Sequence, residues 1–141
     1  MKKVVWLILV LIVGVLIGYS ISNSKYKIQT HSRENLINEI IIFGGEAKAW
    51  YRTPAIEGGG GNADVLPIDA VTLITAFIDP KAEFGVIETE YGFYTLTLEG
   101  WVLSIDGRAK SKNVIQSSGV INLNDGEEAG VTILPVQEIH K

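Results

Sequence analysis

The chain has 141 residues, room for one domain and an attached segment. Its formal net charge is -4. With Lys2, Lys3 and the apolar stretch behind them set aside, ten basic residues face sixteen acidic ones, a balance of -6. A domain this acidic is a poor match for nucleic acid, whose affinity comes largely from Lys and Arg on phosphates. The absence of cysteine excludes disulfides, thiolate metal sites and a cysteine nucleophile together.

Residues Val4 to Ile21 read VVWLILVLIVGVLIGYSI, with no charge. About eighteen residues at 1.5 Å each give roughly 27 Å of helix, close to the ~30 Å hydrocarbon core of a bilayer. Trp6 and Tyr19 stand near its ends, where amphipathic rings prefer the headgroup boundary. The expectation is a transmembrane anchor over 1–22, with the lipid bilayer as its first partner. Lysines flank both ends, so the orientation is taken from the position of the domain, which follows the apolar stretch: N-terminus inside, head outside the cytoplasm. A cleaved signal peptide is the competing reading, with Ser20-Ile21-Ser22 as its small-x-small site. Gly14 and Gly18 form a small-xxx-small pair that would let two such helices approach as a homodimer.

Residues 23–54 are expected as a helical stalk and core helix. Asn23 to Asn35 contain neither Pro nor Gly, and Leu36, Ile40, Phe43, Ala47 and Trp50 then recur at spacings of four and three. That is the stripe of a helix burying one face, here against a sheet. Gly44-Gly45 interrupts it, marking a kink or a close contact at about 1 kcal/mol per glycine. Glu46 and Lys48 fall off the stripe and are expected to face water. Pro54 ends the helix, because the residue before a proline is pushed out of helical conformation.

Residues 55–141 are expected as a glycine-rich loop and an antiparallel head. Gly58 to Gly61 invite a phosphate-loop reading, but Asn62-Ala63-Asp64 follows instead of Gly-Lys-Ser/Thr, and Glu57 and Asp64 would repel phosphate. Val71 to Ile78 and Val86 to Glu90 are expected as further strands. Phe93 to Asp106 reads as a hairpin around Glu99-Gly100, pairing Leu98 with Trp101, Leu96 with Leu103 and Tyr94 with Ile105. A second hairpin, Val120 to Leu134, would set Leu123 against Val131 and Ile121 against Ile133. Gly107 to Ser118 looks like a connecting loop.

No set of residues reads as catalytic, cofactor-binding or metal-binding. His31 and His140 stand in the stalk and near the end, away from any expected pocket. Glu88 and Glu90 share a strand face, for which a solvated edge is the simpler account than paired-acid chemistry. Asp125, Glu127 and Glu128 crowd a loop in the manner of calcium ligands, at a spacing that fits no EF-hand. Phe93, off the main apolar face, could mark a contact surface or pack at an edge.

The order of apolar helix, striped helical extension, loop and antiparallel sheet resembles the type IV pilin and pseudopilin family. Ala49-Trp50-Tyr51-Arg52-Thr53-Pro54 followed by Gly58 to Gly61 is similar to a helix end in pilin-like proteins. The chain departs from the family at its start: Lys2-Lys3 leads into Val4-Val5-Trp6-Leu7-Ile8, without the leader glycine or the glutamate of the apolar segment. The resemblance implies an α+β fold and a structural, non-catalytic subunit or accessory part of a cell-surface or secretion apparatus, meeting like subunits. A stand-alone anchored binding module and an extracytoplasmic enzyme are the alternatives.

Overall fold

The stripe beginning at Leu36 lies on a helix, α1, which covers residues 32–52 in the computed structural model. The described residues are 32–110, 115–126 and 130–135, together with Ile12, Val15 and Ile17. The chain divides into two compact units, Met1–His31 and Ser32–Lys141. In the first, Ile12, Val15 and Ile17 are helical and exposed. The rest of Val4 to Ile21, including Gly14 and Gly18, lies outside the described residues, as do His31 and His140. Among the described residues no helix is long and apolar enough to cross a membrane.

The second unit is α+β. Five strands, β1 (Val86–Glu88), β2 (Gly92–Glu99), β3 (Val102–Ala109), β4 (Gln116–Asn122) and β5 (Thr132–Leu134), pair in sequence order as an antiparallel meander. Side chains alternate between faces with the period of two that strands impose. Tyr94, Leu96, Leu103, Ile105 and Ile121 are buried on one face. Leu36, Ile40, Phe43, Ala47 and Trp50 of α1 are buried in the same core, none more than 8% exposed. Two glycines on the sheet leave space for larger neighbours: Gly119 for Ile40, and Gly107 for the Tyr94 ring. Phe43 meets Tyr94 edge-on at 5.0 Å between ring centroids, a favoured aromatic geometry.

Four expectations need correction. Val71 to Ile78 is not a strand: Ala70–Ile78 forms a second helix, α2. Its buried residues, Ala70, Ile74 and Thr75, recur with a helical rather than an alternating period, and burial of that face overrides the β preference of Val, Thr and Ile. Pro80 stops it, with Asp79 held extended at φ -137° and ψ 106°.

Both hairpins keep the expected faces but shift register by two residues. Leu98 pairs with Leu103, Leu96 with Ile105 and Tyr94 with Gly107, around a Gly100-Trp101 turn. Gly100 has φ 57° and comes first in the turn, where the hairpin geometry with one positive φ wants glycine. In the second hairpin Ile133 pairs with Gly119, and Ile121 is two residues further along. The segment Gly107 to Ser118 is not one loop, because Gly107–Ala109 extends β3 and Gln116–Ser118 opens β4. Lys48 does not face water; it is 6% exposed.

Candidate functional site

The helix end and its glycine run form one local structure. Helix carbonyls in the last turn lack intrahelical partners, and the chain after Pro54 turns back to supply them. Gly60 N donates to Trp50 O at 2.8 Å, Asn62 N to Tyr51 O at 2.9 Å and Gly61 N to Thr53 O at 2.8 Å. A Cβ at Gly59 would collide with the Thr53 backbone. The run therefore serves as a helix cap, with backbone N–H groups spent on the chain itself rather than held open for a phosphate.

Two polar side chains tie α1 to the strands. The Glu39 carboxylate accepts hydrogen bonds from the Tyr94 hydroxyl and from Thr89 Oγ1, the latter at 2.8 Å. Thr89 Oγ1 in turn accepts from the Tyr91 and Gly92 N–H groups at 3.1 and 3.2 Å, so the clamp also fixes the β1–β2 turn. Burial, then the hydrogen bond to Glu39 and its negative charge, hold the Tyr94 phenol well above its usual range. Lys48 Nζ donates to Gly126 O at 2.7 Å, joining the helix to the loop after β4. Sequence reasoning missed both. The signal was present in the spacing: Glu39 is three residues after Leu36 and four before Phe43, and Lys48 is four after Gly44 and three before Tyr51.

The sheet face away from the core carries Thr95, Thr97, Ser104, Asp106, Arg108 and Ser118, with exposed Phe93, Val102 and Leu134 among them. Ser118 Oγ donates to Asp106 Oδ1 at 2.5 Å. Glu88 is paired with Lys110 at 2.6 Å, and that ammonium lies 5.1 Å from the centre of the Phe93 ring. Glu90 lies outside β1 and does not share a strand face with Glu88. Among the described residues no three His, Asp or Glu side chains are placed to hold a metal ion. Glu127 and Glu128 lie outside them.

A groove of about 380 Å³ runs between the loop before α2 and the β2–β3 turn. Leu66, Pro67, Val71, Leu98 and Trp101 line it, and among the described residues Asp64 is the one charged side chain of its lining. Trp101 is positioned from behind by Tyr51, edge-on at 5.6 Å, and its carbonyl accepts from Leu123 N at 2.9 Å.

The chain matches no family model, no curated protein and no solved structure. Chemistry must therefore be read from the residues alone. Among the described residues the outer sheet face is exposed and mostly polar, and the groove is lined largely by apolar side chains together with Asp64.

Proposed function

We propose that this protein is a non-catalytic, membrane-anchored pilin-like subunit or accessory component of a cell-surface or secretion apparatus. Val4 to Ile21 would be its single transmembrane helix in the cytoplasmic membrane, with the head periplasmic or extracellular. The observation that carries the reading is the succession along the chain: an uncharged apolar stretch, then a helix whose Leu36-to-Trp50 stripe is buried under an antiparallel sheet. A spine helix of this kind can bring a head domain to a membrane and leave the far sheet face for like subunits. The absence of a glutamate from the apolar stretch favours an accessory role within that class.

Cysteines at Gly14 or Gly18, each paired with a second cysteine elsewhere on the same helix, test the assembly. Oxidation in membranes is expected to give a ladder of crosslinked species. A dimer alone, or only monomer, would overturn the subunit reading in favour of a stand-alone anchored module. The groove beside Trp101 is the feature that favours that second reading, since a preformed apolar recess suits a binding domain.

A further inference from the structure

We propose that the groove beside Trp101 docks a segment of a partner protein in which an apolar residue lies between lysines or arginines. This does not depend on whether the chain polymerises. Apolar side chains, Leu66, Val71, Leu98 and Trp101 among them, line the floor, and Trp101 is held there by its edge-on contact with Tyr51. Preorganisation of this kind lowers the ordering cost of binding. At its edge Val65 and Ile68 stand almost wholly in water, 82% and 107% exposed, next to a recess able to take a side chain from outside. Isolated exposed apolar residues need no explanation, but two at the lip of an apolar groove form a patch.

Charge decides the occupant. Asp64 lines the groove and supplies its negative charge. Among the described residues no lysine or arginine lines it. A second copy presenting the same patch would set carboxylate against carboxylate, and like charges brought together across an interface suppress binding. A segment with an apolar anchor and flanking ammonium or guanidinium groups satisfies both features: the anchor leaves water in the groove, and a flanking cation meets Asp64. Asp64 would mainly speed encounter and select partners, while the anchor would supply most of the affinity.

The test uses the full chain in zwitterionic lipid nanodiscs, with empty discs as the blank. The probe is a short fluorescent peptide with a central Lys-Leu-Lys, compared with its Glu-Leu-Glu counterpart by fluorescence polarisation. Saturable binding of the lysine peptide alone is expected. The double substitution Val65→Ser and Ile68→Ser should weaken it about tenfold, as loss of buried aliphatic surface implies. Asp64→Asn should weaken it by roughly threefold and flatten its salt dependence. All three positions are exposed, so the variants should keep the parent circular dichroism spectrum. Absence of saturation, equal binding of the glutamate peptide, or an unchanged titration in the Val65/Ile68 double variant would each overturn the proposal. The last result would place the peptide elsewhere on the acidic surface.

Discussion

Gly44 and Gly45 are neighbours on one helix, yet they do different things. A Cβ at Gly44 would fall inside the Val131 side chain, whereas one at Gly45 would meet nothing within 4 Å. Gly44 is therefore the point of close approach between α1 and the segment leading into β5, and Gly45 carries only the entropic penalty of glycine in a helix. Gly45→Ala should stabilise the protein by about 0.5–1 kcal/mol. Gly44→Ala should destabilise it by about 1–3 kcal/mol through overpacking. Chemical denaturation of both variants checks the pair, and equal effects would refute the distinction. The sequence could flag the glycine pair as unusual in a striped helix. It could not say which member mattered, because the answer lies in residue 131, far along the chain.

Between elements, the clamp of Glu39, Tyr94 and Thr89 has a pH signature. The folded-state pKa of Tyr94 lies above its unfolded value of about 10. Above that pH the unfolded chain releases the phenolic proton while the folded chain retains it, so stability falls as pH rises. The contribution is fully present below about pH 10 and is lost above it. Denaturation midpoints measured from pH 8 to 11 should fall more steeply in the parent than in Tyr94→Phe. Parallel curves would mean that the phenol is not held as described. Other tyrosines titrate in both proteins, and the comparison removes their share.

Legibility at the scale of elements follows a simple rule. An alternating pattern fixes which face a residue occupies, and a shift of two residues leaves that pattern intact. Leu96, Leu98, Leu103 and Ile105 were thus readable as sharing a face, while their partners were not. Turn geometry settles the register, and the informative detail was the place of Gly100 as first residue of the turn. The helix at Ala70–Ile78 was hidden by β-branched residues whose local preference yields to burial of one face. The groove was not legible at all, since Leu66, Val71, Leu98 and Trp101 come together only through the fold.

For the molecule as a whole, the apolar stretch Val4 to Ile21 and the acidic head are the two facts that any function must use. On the proposed reading an anchored, extracytoplasmic head would account for both: a stretch too apolar for water would be placed in lipid, and the head would present its polar sheet face and the groove beside Trp101 to partners outside. The central claim is this placement, and the absence of native cysteine makes it directly measurable. A single Glu57→Cys in the exposed loop after α1 can be probed with a membrane-impermeant maleimide on intact cells or, where an outer membrane is present, on spheroplasts, followed by alkaline carbonate extraction. Labelling without lysis, on protein that stays in the membrane pellet, is expected. Labelling only after lysis, or release of the protein by carbonate, would contradict the placement.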